Sequence, residues 1–343
     1  MHKPIQFKNK ILTLHQANIE PNYRNRSVIT DLSWEYVTMY LKRNGKRDAL
    51  IYWKQAEHFF KATNVLPVES APLTAYYCFL NATKALLVSK NISFVEHHGV
   101  AGDLRGQNRV ALVNENIKVY GNGVLPSLSK YLGDDNLVGN YSMKDILYNL
   151  PFVHRPYTHT YTSDSELFIP IQNPTFVKKH NSEDAWLQFE LEEFIANGHT
   201  FNKFPKGYQQ DPTVLDKTVI RRKKRFKWNS RHESRSINDL LKYHKKLRKQ
   251  IFYITSTLGP SWYIKRNDNS QVSLLPFSTL SLTFMTMHRL SDFARYTPNV
   301  LVSHFESQHN WLLTEFIIRS PIQFIDEIAT EITGDTFKVT NMK

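Results

Sequence analysis

The apolar positions of this chain keep a helical period near both ends and lose it in the middle. The clearest helical run spans residues 71–88, APLTAYYCFLNATKALLV. Leu73, Tyr76, Tyr77, Leu80 and Leu87 recur at i, i+3/i+4 and i+7 spacing, while Ala75, Phe79, Ala82 and Leu86 cover a second face. A helix that is apolar nearly all round is buried. The stretch therefore predicts a central helix with the other elements packed around it. Pro72 suits its first turn, where a missing N–H costs nothing, and Ser70 is the expected N-cap.

Upstream, residues 31–41 and 46–63 predict two more helices, the second with Ile51, Trp53, Ala56, Phe59 and Phe60 close to one face. Three helices on short links suggest an all-α opening bundle, and residues 1–30 read as polar and irregular. Beyond the central helix the period shortens. Residues 109–113 and 117–120 predict short strands, Gly121-Asn122-Gly123 a turn, and 125–132 and 143–150 short helices, the last capped by Ser142 and stopped by Pro151. Residues 151–235 are the least regular. Segments 167–171 and 175–177 are β-like around Asn173-Pro174. Residues 182–196 hold almost no β-branched side chains and read as a helix, with Glu190 and Glu193 on an exposed face. Residues 218–228 have strand-like ends around a basic run.

The helical period then returns. Ser236 caps an expected helix over 237–249, and 250–255 pairs with 261–265 across Leu258-Gly259-Pro260. Helices over 278–296, 300–318 and 322–332 close the chain, with Pro298 stopping the first. The expected fold is mainly α with a minor β component, an α+β fold. Helical N- and C-terminal parts (1–150 and 236–343) pack together around a β-containing insert (151–235), as one unit over about 31–333.

Composition sharpens this picture in three respects. Of 343 residues, 41% are hydrophobic and 13% aromatic, enough for a substantial core. Lysine and arginine number 44 against 31 acidic residues, a net charge of +13, which favours an anionic partner without choosing among nucleic acid, anionic lipid and an acidic protein face. The single cysteine, Cys78, allows no internal disulfide and suits a reducing cytoplasm. The first sixteen residues, MHKPIQFKNKILTLHQ, lack a signal-peptide apolar core, and no run is long enough to span a membrane.

Candidate chemistry falls into a few groups. Tyr77, Asn81 and Lys84 form one polar stripe on the apolar helix, either ties within a core or one wall of a small pocket. Ser291 and Arg295 are i, i+4 neighbours near the end of a later helix, either a helix-end clamp or an anion site shared with Lys84. Arg221, Arg222, Lys223, Lys224, Arg225 and Lys227, with Trp228, open a basic run that continues to Lys249 with aromatics interleaved. Nucleic acid, anionic membrane, an acidic protein or plain solvent could face it. The histidines of His97-His98-Gly99 and of 154–159 are placed in loops, where Pro156 prevents a helical two-histidine zinc arrangement. No metal or other cofactor is expected. Arg225 and His232 have the arginine-spacer-histidine order of helical HEPN-type ribonucleases, but in a stretch with little helical character. No P-loop, strand-borne GxGxxG, GxSxG or convincing carboxylate pair is present.

In this order along the chain, Trp53 with Ala56, Phe59 and Phe60, the block from Pro72 through Tyr76-Tyr77 and Asn81 to Lys84 and Leu87, His98-Gly99, and Leu290-Ser291 with Arg295-Tyr296 and Pro298 resemble the YaaC-like family of bacterial proteins. The basic segment 219–249 is outside that pattern. The family has no assigned reaction. The resemblance implies a non-enzymatic role like that of the YaaC-like component of the Juk defence system against jumbo phages. Such a sensor recognises an early infection structure and recruits a separate effector. On that reading Tyr77, Asn81, Lys84, His98, Ser291 and Arg295 are the candidates for a polar pocket or partner contact. The expected partners are an effector protein, a phage-derived component at a lipid vesicle surface, and further copies of the chain. The protein would be cytoplasmic and peripheral to the phage compartment. The alternative is a nucleic-acid-binding protein or HEPN-like ribonuclease that uses segment 219–249.

Overall fold

The structure, a computed structural model, describes residues 2–102, 110–214, 216–266 and 274–338. The chain folds as two compact units. One takes residues 30–166 and 270–333 and is mostly helical. The other takes 1–29, 167–269 and 334–343 and is mostly strand. The boundaries thus fall at 30, 167, 270 and 334 rather than at 150 and 235. The overall class is the expected α+β mix, with helix dominating.

In the helical unit, the helix Ala71–Ser89 is the axis. Ala75, Phe79, Ala82, Ala85, Leu86 and Leu87 are fully buried on it. Pro72 lies in its first turn, and Ser70 occupies the cap position without a side-chain hydrogen bond. The helices Arg47–Thr63, Thr279–Tyr296 and Asn310–Thr333 pack against it. N-terminal and C-terminal helices therefore share one core. Phe79 and Phe324 stack at its centre with ring centroids 4.1 Å apart. Ser278 caps Thr279–Tyr296 by accepting from the Ser281 N–H at 3.2 Å, and Asp134 accepts from the Ser278 N–H at 2.9 Å.

Two prolines mark the C-terminal helices. Pro298 follows the end of one helix but opens the next, Pro298–Phe305. Pro321 lies inside Asn310–Thr333, which runs unbroken where two helices were expected. An interior proline forgoes one backbone hydrogen bond. Here the turns on both sides are buried, Phe316 and Ile317 before Pro321 and Phe324 and Ile328 after it, and that burial outweighs the loss. A three-stranded antiparallel sheet completes this unit, Val100–Gly102 beside Asn116–Val119 beside Gly139–Ser142. Residues 110–113 are loop and turn, not strand, and Arg109 lies outside the described residues.

The other unit has its own core and does not depend on the Ala71–Ser89 helix. Its antiparallel sheet runs in the order Tyr208–Gln210, Thr218–Arg222, Asp184–Leu191, Phe168–Lys179, Ser261–Lys265, Ile251–Ile254. Four corrections fall here. Residues 184–191 are a strand, not a helix: Ala185, Leu187, Phe189 and Leu191 all enter the core, a period of two. Segments 167–171 and 175–177 are one strand, interrupted by an irregularity between Gln172 and Thr175. Residues 2–30, expected to be irregular, are ordered: His2–Pro4 pairs with Phe168–Lys179, and Ile5, Leu12, Leu14 and Tyr23 are buried. The helix across this sheet, Glu233–Leu247, starts before Ser236, whose hydroxyl bonds Asn229 instead of capping. Tyr243 on it accepts from the Leu187 N–H at 3.2 Å and donates to the Lys224 carbonyl at 2.9 Å. The hairpin of Ile251–Ile254 with Ser261–Lys265 forms as expected. Among the described residues no helix is long and apolar enough to cross a membrane.

The stacked ring of Phe79 gives the first test. Phe79→Ala is expected to cost about 3–5 kcal/mol, read as a lower urea midpoint. Ile318→Ala, at a half-exposed position on the Asn310–Thr333 helix, should change it by no more than about 0.5 kcal/mol.

Candidate functional site

A helix with no solvent face must find partners for its few polar atoms inside the protein. Tyr76 is buried at 2% exposure on Ala71–Ser89, and its hydroxyl hydrogen-bonds His98 Nδ1. The two rings stack, with centroids 5.3 Å apart. His98 is held in place by its own loop. The carbonyls of His97 and His98 accept from the N–H groups of Val124 and Leu125, at 2.9 and 3.1 Å, which closes the start of the helix Val124–Leu132. Gly99, next to it, has φ +77°, and a Cβ there would lie 2.7 Å from the Asn122 carbonyl.

The helix Thr279–Tyr296 supplies the opposite wall. His288 meets Tyr76 edge to face at 4.9 Å and His98 at 5.7 Å. Its Nδ1 lies 3.4 Å from Asp292 Oδ2, at an angle that makes no hydrogen bond. The Gly102 N–H donates to Asp292, and a Cβ on Gly102 would strike Arg289 and come within 2.9 Å of Asp292 Oδ2. Arg289 donates to Glu115 Oε2 at 2.7 Å, and His304 Nε2 lies 3.3 Å from Glu115 Oε1. His304 and His309 are joined through their Nδ1 atoms at 3.2 Å.

Electrostatics follow from this packing. Burial first, then the charges of Arg295 and Lys84 and the neighbouring His97 ring, pull His98 below its ordinary range. Burial drives His288 down to about 3, helped by His98, Arg295 and Arg289. Burial raises Asp292 against the pull of Arg289, the Gly102 N–H and Arg295. Burial also raises Glu115, but the bonds from His304 and Arg289 overcome it and leave that carboxyl low. Tyr76 is pushed well up by burial, so its O–H donates to a neutral His98. Burial likewise pushes the Cys78 thiol up, which makes it a poor nucleophile.

Of the residues singled out from sequence, His98, Tyr77 and Arg295 come together. Arg295 Nη1 donates to the Tyr77 hydroxyl at 3.4 Å, and Tyr77 stacks on Phe59 at 5.3 Å. Lys84 pairs with Glu96, lies 5.4 Å from the centroid of Tyr52, and is close enough for its charge to act on His98. Asn81 turns back to the Tyr77 carbonyl at 2.8 Å. Ser291 is buried at 2% exposure. A cavity of about 710 Å³, lined by Phe94, Val95, Asn122, Gly123, Ser127 and Lys130 among others, belongs to the same unit. Sequence reasoning missed Tyr76 as a polar participant, and also His288, Arg289, Asp292 and Glu115. A usable signal was His288 and Asp292 at i, i+4 on a helix otherwise rich in apolar residues.

The basic run is more self-contained than expected. Trp228 is buried against Phe7 at 5.9 Å and offers no stacking surface. Arg225 and Lys227 share Asp184, at 2.9 and 2.7 Å. Arg222 donates to Tyr208 at 3.1 Å and Gln250 at 3.2 Å, and Arg221 lies 3.7 Å from Asp211. Lys223 and Lys224 are exposed. The segment His154–Thr160 is a helix rather than a loop, because Pro156 falls in its first turn, where no N–H is needed. Among the described residues no three of His, Cys, Asp and Glu could hold a metal ion.

Fold and site together define a mixed α+β protein with a buried tyrosine–histidine cluster opening beside a basic rim. The chain belongs to the YaaC-like family, whose model, described as YaaC-like Protein, matches residues 14–332. No curated protein and no solved structure gives a match.

Two outcomes are expected. Arg289→Met leaves Glu115 buried without its arginine and should cost about 3–5 kcal/mol, whereas Arg295→Ala, at the exposed rim, should cost under about 1 kcal/mol; urea denaturation separates them. The pH dependence has a definite sign. His288 binds its proton near 3 when folded and near 6.5 when unfolded, so its contribution to stability is whole above 6.5 and lost as pH falls towards 3. His309, held at about 4, acts in the same direction. The urea midpoint should therefore fall steadily on acidification below 6.5, each histidine adding up to about 1.4 kcal/mol per pH unit. A midpoint unchanged down to about 4 would contradict this.

Proposed function

We propose that this chain is a non-enzymatic recognition protein: the sensing component of a bacterial anti-phage defence system, which binds an early phage infection structure and recruits an effector. One observation carries the reading. Residues that bear the family resemblance, from Phe59 through Tyr76, Tyr77 and Lys84 to His98 and Arg295, are spread over most of the chain, yet they gather around one half-open patch. Contact residues need such convergence, and core packing alone does not call for an arginine and a lysine at the rim. The positive rim suits an acidic or hydrogen-bonding partner. The protein works in the cytoplasm, self-associates, and meets a lipid-bounded phage compartment from outside.

The nuclease alternative has less support. Arg225 sits just before the strand Phe226–Lys227 and is paired with Asp184, while His232 ends the short 3-10 turn Ser230–His232. The two do not share a helix. Arg222, Arg225 and Lys227 are each engaged within the protein, which leaves fewer free cations for a long polyanion.

His98→Ala and Arg295→Ala, introduced into a phage-resistant host that carries the protein, test the proposal. Both should raise plaque counts at least about tenfold and lose capture of the phage component and effector from infected cells, with unchanged circular dichroism. Full protection by both variants would refute it. So would turnover of a substrate by the purified protein that either variant abolishes.

A further inference from the structure

The strand-rich unit holds a small cavity with an unusual lining. Its volume is about 210 Å³, and its walls are Trp186, Gln209, Arg221, Arg222, Lys223 and Arg225. Four of the six are cations, and none is a carboxylate.

Sheet geometry explains how they meet. Gln209 lies opposite Arg221, and Arg221 opposite Gln188, so these three stand in a row across adjacent strands. Trp186 is two residues from Gln188 and shares its face. Arg225 returns from the turn after Thr218–Arg222 and sets its guanidinium 5.5 Å from the Trp186 ring centroid; that of Arg221 stands 5.9 Å from the same ring. Trp186 is only 3% exposed, so it forms a rigid floor.

The charges here are out of balance. Arg221, Arg222, Lys223, Arg225 and Lys227 face two carboxylates, Asp184 and Asp211. Asp184 is divided between Arg225 and Lys227, and Asp211 stands 3.7 Å from Arg221. With its carboxamide oxygen turned to Arg221, Gln209 accepts from Nη2 and Nε at 2.8 and 3.0 Å, which fixes that guanidinium in place. The indole Nε1–H of Trp186 is buried and has no hydrogen-bond partner, and neither has the Gln188 side-chain oxygen. A buried donor without an acceptor is destabilising. Two guanidiniums held against one ring also repel each other.

We infer that this cavity binds a phosphate group. A tetrahedral oxyanion supplies counter-charge where five cations share only Asp184 and Asp211. The guanidinium of Arg225, whose Nη1 donates to Asp184, offers a planar fork to its oxygens that a lysine ammonium group does not, while Arg221, held by Gln209, adds fixed positive charge. The cavity admits one such group and not a run of them, which separates this site from a polynucleotide track. The inference stands on the strand-rich unit alone and does not depend on the sensing role.

The test uses the full-length protein and two phosphate sources: inorganic phosphate by calorimetry, and phosphatidic acid in neutral-lipid vesicles by flotation. Arg221→Met and Arg225→Met should each weaken binding about tenfold or more. Arg225→Lys keeps the charge but loses the fork and should fall between. Lys245→Ala with Lys246→Ala, which removes more charge from exposed helix positions, should leave binding intact. If the variants abolish inorganic phosphate binding, the ligand is a soluble phosphate; if only vesicle binding is present and lost, it is a lipid headgroup. The proposal fails if neither probe binds saturably, if the Lys245/Lys246 control weakens binding as much as the arginine variants, or if Arg225→Lys, correctly folded by circular dichroism, binds as wild type does.

Discussion

The helical unit is governed by the fact that Ala71–Ser89 has almost no face to give to water. Most of the polar side chains on it are satisfied by something else in the protein, the buried Thr83 hydroxyl being an exception. Asn81 solves this locally, through the carbonyl one turn back. Lys84 reaches Glu96 at the surface. Tyr76 and Tyr77 cannot do either, and their hydroxyls draw His98 and Arg295 from distant parts of the chain. The polar cluster is thus a consequence of the burial of the helix. The same burial keeps His98 and His288 low and Tyr76 protonated, so the cluster is a set of neutral donors and acceptors with two cations at its edge.

The strand-rich unit meets a different constraint. Its sheet has one face covered by Glu233–Leu247, where Tyr243 and His244 tie strand, turn and N-terminal segment together. His244 Nε2 donates to the Ala17 carbonyl while its Nδ1 accepts from Tyr23 at 2.9 Å, and burial holds that histidine down at about 3. Residues 2–29 are therefore structural, although their polar composition gives little sign of it. On the same sheet, the charged side chains of the basic run are arranged into pairs and a cavity instead of a continuous stripe.

What could be read from sequence, and what could not, follows physical lines. The central helix was legible because its apolar period is long and unbroken, and the Ser142 cap was legible because capping is local. The strand Asp184–Leu191 was not, since its leucines, glutamine, glutamate and alanine favour helix one by one. Leu187, Gln188, Phe189, Glu190 and Leu191 do alternate, and strand neighbours on both sides made that alternation decisive. The gap expected between helices 300–318 and 322–332 contains Pro321, and the packing of Asn310–Thr333 carries the helix through it. Tyr77, His98 and Arg295 were found individually, but their meeting depends on contacts as much as 218 residues apart, which no window of sequence displays.

The claim that matters most is that the patch of Tyr77, His98 and Arg295 is a contact surface. The most direct measurement is the footprint of whatever partner the protein holds in infected cells, resolved to single residues by cryo-electron microscopy of the captured complex. The account predicts that the partner covers His98, Arg295 and the exposed edge of Tyr77. A partner seated elsewhere, with that patch left open to solvent, would contradict it.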